Sequence, residues 1–271
     1  MTEQGSYEDR FAGMARLAGV AGVERLRNAH VAVVGVGGVG SWTVEALARS
    51  GVGALTLIDL DEVCLSNVNR QLHTLTSTVG QAKVEVLARR VAEIQPSCQV
   101  HAVQDFFTAK TASALMAPGY DVVVDAIDSA RSKAVLIAEC AQRGIPVVVC
   151  GGAGGRLDPG QLQVADLNRT QGDGLLRRIR DLLRKEHGFP RNPKWHIPAI
   201  YTEEPARWPA EDGSVCVGGG GPGKGFRLDC ASGYGAATFV TGTMGFWAAG
   251  LAVQAILDRD QPTLSSEVDE L

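Results

Sequence analysis

The order of segments in this 271-residue sequence predicts an α/β fold, a doubly wound, mostly parallel sheet with helices on both faces. Two observations carry that expectation. Short, wholly apolar runs of the kind that fill buried parallel strands alternate with stretches of helical periodicity. The first such run ends in a cluster of glycines, where a strand would turn sharply into a helix.

Each element has its own signal. Val31–Val36 is an apolar run, Ser41–Ser50 reads as a helix, and Ala54–Ile58 reads as a second strand closed by Asp59. Across Gln81–Ile94 the residues Val84, Leu87, Val91 and Ile94 recur at helical spacing, and Pro96 ends the run. Val100–Val103 and Val122–Ala126 read as strands, Arg131–Gln142 as a helix, Pro146–Cys150 as a strand running into GGAGG, and Leu162–Leu167 as a further strand. From 169 to 228 the pattern weakens into a basic helix and a stretch rich in Pro and Gly. That segment reads as a long, mobile, irregular excursion lying over the active site. Residues 1–257 are expected to form a single domain, and 258–271 an acidic disordered tail.

Composition narrows the function classes. With 45% apolar and 21% charged residues the chain is that of an ordinary globular protein, which excludes disordered, collagen-like and coiled-coil classes. Its six cysteines are dispersed without a CxxC, which disfavours a structural zinc site and a redox dithiol. The opening MTEQGSYEDRF has no apolar core of a signal peptide, so a reducing cytoplasmic setting is expected. Tyr234–Leu257 carries no charge and is long enough to span a bilayer. Yet it holds Gly235, Gly242, Gly245 and Gly250 and lacks a basic flank, so it reads as a buried core or dimer helix and no membrane contact is expected.

Charge is unevenly spread. The tail from Asp258 holds five acids against one base, equal to the formal net charge of −4. Residues 169–196 hold eight bases against three acids, among them Arg177, Arg178, Arg180, Arg184 and Lys185. A basic stretch in an acidic protein suits a polyanionic partner; the alternative is a solvated helix face.

The chemistry lies in the first 130 residues. Gly35, Gly37, Gly38 and Gly40 fall between the first strand and first helix, where backbone N–H groups can approach phosphates. Asp59, about 20 residues on, is where a carboxylate binds ribose hydroxyls. These features make the fold Rossmann-like, and a dehydrogenase would be the default reading. The next segments argue against it: Asn67, Arg70 and Gln71 in SNVNRQ, Lys83 in GQAK, and Asp125 and Asp128 in DAID. Hydride transfer has no need of such cations. Adenylyl transfer does, because Arg70 and Lys83 would neutralise charge growing on the α-phosphate and departing pyrophosphate. Asp128, just past a strand, suits Mg²⁺. Singly, Arg70 reads as a surface ion-pair partner, Lys83 as an exposed helix residue, Asp125 as a loop cap and Asn67 as a turn former; together they read as an adenylating site.

These motifs, GxGGxG, DxD, SNxNRQ, GxxK and DxxD over residues 31–130, resemble the ubiquitin-activating-enzyme-like adenylation family, whose bacterial members include ThiF and MoeB. The resemblance implies ATP contacts from Asp59, Asn67, Arg70, Gln71 and Lys83, Mg²⁺ at Asp128, and a homodimer. It also implies an arginine reaching across the dimer from the N-terminal segment. Gly13 stands where that arginine would fall, leaving Arg10 or Arg16 to replace it. RFAGMARLAG, GVGGVGSW, DAIDSARSK, GGAGG and DCASGYGAAT are most similar to the family's tRNA threonylcarbamoyladenosine dehydratase branch. That branch implies ATP-dependent cyclisation of a modified adenosine in the tRNA anticodon arm, with a monovalent cation (Na⁺ or K⁺) besides Mg²⁺, and admits a sulfur-transfer protein as a partner. The main rival is adenylation of the C-terminal carboxylate of a ubiquitin-like sulfur carrier, with Cys216 or Cys230 as a thiol acceptor. Further rivals are a non-catalytic nucleotide-binding scaffold and the dehydrogenase. Trp195, Tyr201 and Trp208 in the excursion read either as stacking platforms for bases or as packing residues.

Overall fold

The computed structural model describes residues 5–210, 212–218 and 235–259. Its first element is one the apolar periodicity did not announce: α1, Tyr7–Asn28. Ser6 starts it through a reciprocal capping box with Asp9, with Asp9 N–H donating to Ser6 Oγ at 3.0 Å. Gly19, at φ +72°, breaks the helix partway. The Tyr7 hydroxyl donates to the Gly51 carbonyl at 2.6 Å and pins the first turn to the body.

Seven strands form the main sheet: β1 (His30–Val34), β2 (Ala54–Ile58), β3 (Gln99–Val103), β4 (Val122–Asp125), β5 (Val147–Cys150), β6 (Leu162–Asp166) and β7 (Pro198–Thr202). Their order is β3-β2-β1-β4-β5-β7-β6, parallel throughout except where β6 runs against β7. The predicted strands and helices all form, with ends shifted by at most two residues. β1 stops at Val34 because Gly35 turns at φ +83°. The expected excursion needs correction at 198–202. PAIYT returns to the sheet as a buried strand between β5 and β6, because β5 offers a free edge and the run is apolar enough to fill it. A separate antiparallel pair, β8 (Arg207–Pro209) and β9 (Val215–Val217), follows.

Strand side chains alternate between two cores. Val31 and Val33 face a layer holding α2 (Gly40–Arg49), α3 (Lys83–Ile94) and α7 (Thr238–Leu257). Ala32 and Val34 face a layer holding the short α4 (Ala112–Leu115), α5 (Ala130–Arg143) and α6 (Gly174–Glu186).

The uncharged helix α7 meets the length and composition of a membrane span. In this fold it packs on α2, α1 and strands β4, β5 and β7, with Val240, Met244, Ala248, Ala252 and Ile256 buried. Phe239, Phe246 and Trp247 are its exposed large side chains. The small residues have a defined role at the α2 contact, where a Cβ on Gly245 would lie 2.6 Å from the Val39 carbonyl oxygen and 2.8 Å from Trp42 Cβ. The rest of the tail, 260–271, lies outside the described residues.

Gly245→Ala should therefore force α7 away from α2 and cost about 1–3 kcal/mol in a thermal or urea melt. At Gly250 a Cβ meets nothing within 4 Å, so Gly250→Ala should match or exceed wild-type stability by up to about 1 kcal/mol.

Candidate active site

A cavity of about 530 Å³ opens at the C-terminal ends of β1, β2 and β4, beside the switch point between β1 and β4, where the strand order changes direction. Its floor is the turn from β1 into α2. A Cβ on Gly35 would sit 2.8 Å from the Ala126 carbonyl oxygen, and one on Gly40 would sit 1.9 Å from that of Gly35. These two glycines make the turn possible, and Gly40 lies beneath it without lining the cavity. Gly37 and Gly38 line the cavity, facing Gln71 Nε2 and the Arg70 stem. No side chain caps α2 at its first residue, which leaves backbone donors free at a positive helix end.

Neighbouring segments clamp this loop. Asp59 at the end of β2 accepts from Val36 N–H at 2.8 Å and from Asp61 N–H at 2.9 Å. Burial pushes its carboxyl above the ordinary range, against the pull of Lys83. His73 is buried, and its Nε2–H donates to the Val36 carbonyl at 2.9 Å while Nδ1 has no partner. Burial, aided by the nearby positive charge of Lys83 and opposed by the bond to Val36, pushes the His73 pKa down to about 4.

The remaining lining comes from the stretch after β2. Lys83 opens α3, is buried, and holds Asp61 Oδ2 at 2.7 Å. Asn67 is buried in a short 3-10 turn, and its carbonyl accepts from the backbone N–H of Arg70 and Gln71. The Arg70 guanidinium donates to Ser66 O at 2.9 Å and to Asn69 Oδ1 at 3.1 Å. Gln71 Oε1 is a buried acceptor without a partner.

The two aspartates of DAID have different surroundings. Asp125 ends β4 in an ion pair with Lys133 of α5 at 2.9 Å, both side chains wholly buried. Asp125 Oδ1 also accepts from Ile127 N–H, so the pair fixes the loop. Full burial pushes the Asp125 carboxyl upward even beside Lys133. Asp128 is exposed in the cavity with no hydrogen-bond or ion-pair partner among the described residues. One free carboxylate beside a glycine turn at a helix N-terminus fits Mg²⁺, which takes one or two carboxylates and fills the rest of its shell from other oxygen ligands and water. Among the described residues no group of three or more His, Cys, Asp or Glu could hold a metal by itself.

The sequence reading missed part of the wall: Leu60, Cys64, Asp105, Phe106, Phe107 and Ser132. Cys64 is exposed there, and hydrogen bonding to Ser66 holds its thiol below the ordinary range. A pair of aromatics directly after the third strand was the available signal.

The predicted basic residues divide. Arg177, Arg178 and Lys185 on α6 are exposed without ion pairs among the described residues. Arg180 donates to Thr170 Oγ1, and Arg184 donates to Asn168 at 2.6 Å and covers the Trp195 ring at 5.5 Å. Trp195 also packs on Phe189, and Tyr201 is buried in β7, so both are packing residues. Among the described residues, none from 169–218 lines the cavity, against the expected cover. Cys216 is exposed on β9, and Cys230 lies outside the described residues.

The ThiF family model matches residues 9–268. The chain belongs to the ThiF family. Within that family it is 46% identical to the tRNA threonylcarbamoyladenosine dehydratase of Escherichia coli over 256 residues, 94% of this chain and 96% of the relative. The solved structure of TcdA (CsdL) superposes with a TM-score of 0.85 at 44% identity, covering 93% of this chain and 95% of that one. The E. coli TcdA structure in complex with ATP gives 0.81 at 42% identity with the same coverage.

His73, bonded to Val36 of the glycine turn, makes that turn acid-sensitive. The unfolded chain takes up a proton at this residue near pH 6.5, whereas the folded chain resists it until about pH 4. Acid across that window therefore favours unfolding, by about 3 kcal/mol at its lower end. Urea melts between pH 7 and 4 should show that loss, and His73→Gln should flatten it.

Proposed function

We propose that this protein is an ATP-dependent tRNA threonylcarbamoyladenosine dehydratase. The observation that carries the reading is one cavity in which a glycine turn, two cations and an unpaired carboxylate converge, in a chain 46% identical to an E. coli enzyme of that name. Gly35, Gly37, Gly38 and Gly40 form the phosphate turn. Asp59 keeps lone pairs for ribose hydroxyls, and Asn67 and Gln71 shape the wall beside it. Arg70 and Lys83 stabilise charge on the phosphates in the transition state. Asp128 would hold Mg²⁺, which when bound neutralises phosphate charge.

The substrate's threonyl carboxylate attacks the α-phosphate; a P–O bond forms, and the bond to pyrophosphate breaks. A nitrogen or oxygen of the same modification then attacks the activated carbonyl, loses its proton, and expels AMP. The substrate loses one water overall. Ring closure is intramolecular, so orientation supplies much of its rate and no enzyme nucleophile is required.

The tRNA anticodon arm would lie on the exposed face of α6. Asp173, which caps α6, accepts from Gly152 N–H at 2.9 Å just past β5. The helix thus starts at the sheet edge that carries the cavity, with Arg177 and Arg178 in its first turns. An RNA substrate implies a cytoplasmic setting. Exposed Leu17 and Val20 on α1 and Phe246 and Trp247 on α7 support a homodimer. Arg16 is exposed without a partner among the described residues, whereas Arg10 is held on Ile94 O at 3.0 Å. Arg16 is therefore the better candidate to reach across.

The test is mass spectrometry of nucleosides from threonylcarbamoylated tRNA incubated with the protein. Loss of one water that requires ATP supports the reading. No change overturns it and turns attention to carrier-protein carboxylates. Arg70→Ala and Lys83→Ala should each slow that conversion by about 100-fold or more while leaving tRNA affinity nearly unchanged. Replacing Arg177, Arg178 and Lys185 together with Ala should lower the salt dependence of tRNA binding by about two to three units of slope. Arg180→Ala and Arg184→Ala should reduce stability instead.

A further inference from the structure

Arg70 sits in a turn, outside any helix or strand, and its guanidinium contacts only its own loop, at Ser66 and Asn69, among the described residues. Where its charge stands relative to the phosphate turn therefore depends on what holds the Arg70 backbone. Two side chains from distant helices meet on its carbonyl oxygen: Trp42 Nε1–H of α2 at 3.1 Å and the Thr241 hydroxyl of α7 at 3.2 Å. They lie 28 and 171 residues away in sequence.

The surroundings reinforce this arrangement. The Asn69 carbonyl accepts from Thr238 Oγ1, and Asn69 Nδ2 donates to Ala236 O at 2.8 Å. Gly38 of the phosphate turn stands where a Cβ would be 3.3 Å from the Thr241 methyl and 3.7 Å from the Arg70 stem. Thr241 is thus buried where the turn, the Arg70 loop and α7 touch. Trp42 is fixed from its other side by the edge-on ring of Phe246, with centroids 5.8 Å apart.

We propose that Thr241 and Trp42 are positioning residues for Arg70, holding its charge at the α-phosphate and pyrophosphate of bound nucleotide. The proposal rests on the adenylating reading of the cavity. It makes the first turn of α7, remote in sequence, part of the nucleotide site. The single hydroxyl hydrogen of Thr241 is shared among three carbonyls, those of Ala237 and Thr238 in its own turn at 3.3 Å each and that of Arg70 at 3.2 Å. Bonding within the helix would account for the first two, and only the third ties α7 to the Arg70 loop.

The test uses Thr241→Val, which keeps the shape and removes the donor, and Thr241→Ser, which keeps the donor. A non-hydrolysable ATP analogue and AMP are titrated calorimetrically into the full-length protein. Thr241→Val should weaken the analogue by about tenfold, and AMP by clearly less, because AMP keeps only one of the phosphates Arg70 serves. Thr241→Ser should bind both as wild type does. In an Arg70→Ala background, Thr241→Val should have no further effect on the analogue. Trp42→Phe, which keeps an aromatic ring, should follow Thr241→Val. Unchanged analogue affinity in Thr241→Val and Trp42→Phe would overturn the proposal. So would parallel loss of analogue and AMP, or failure of Thr241→Ser to restore binding. Conversion of modified tRNA by the wild type is measured alongside, and its failure would count against the dehydratase reading and not against the positioning.

Discussion

The chain has to leave β1 and enter α2 within five residues, at places where no Cβ fits. Gly35 faces the Ala126 carbonyl at 2.8 Å from a hypothetical Cβ, and Gly40 meets Gly35 at 1.9 Å. Because the turn is that tight, Gly35, Gly37 and Gly38 line the cavity just ahead of the N-terminus of α2, which no side chain caps. Asp59 and His73 then hold Val36 from both of its backbone groups, N–H and carbonyl. The loop is clamped from β2 and from the segment beyond it before any ligand arrives, which limits the ordering cost of binding phosphate.

Charge is partitioned around that turn. Asp125 and Asp128 are three residues apart, yet one is wholly buried against Lys133 and the other stands free in the cavity. A buried pair of this kind is weak as a source of stability, since desolvation offsets most of the attraction. What it does here is fix the loop between β4 and α5, through the Ile127 N–H, so that Asp128 projects from a rigid base. Lys83 is treated in a comparable way, buried at the start of α3 with its ammonium tied to the exposed Asp61. Arg70 is the cation whose side-chain bonds stay within its own loop, so what fixes that loop from outside is the anchoring of its backbone by Trp42 and Thr241.

The helix α7 joins packing to function. Its glycines let it close on α2 to the point where backbone and side chains of the two helices touch, and its apolar residues complete the core over β4, β5 and β7. The same close approach brings Thr238 and Thr241 to Asn69 and Arg70. An uncharged segment that by composition matches a bilayer span is here the piece that ties the last part of the chain to the first site.

Periodicity and glycine placement in the sequence determined the parallel sheet and the glycine turn, and its polar motifs picked out Asp59, Asn67, Arg70, Gln71, Lys83 and Asp128, which the fold gathers around one cavity. These signals are local: apolar alternation, a turn that admits only glycine, and polar residues at strand ends. Tertiary structure alone decided that 198–202 fills a sheet edge, and that Asp125 is consumed by Lys133 while Asp128 is free. It also decided that Arg180 and Arg184 turn inward while Arg177, Arg178 and Lys185 face out, and that Phe106 and Cys64 line the cavity. In each case the deciding partner lies elsewhere in the chain, Thr170 for Arg180 and Asn168 for Arg184, Thr241 for Arg70. A residue's type sets what it can bond to; the fold sets which of those partners comes within reach.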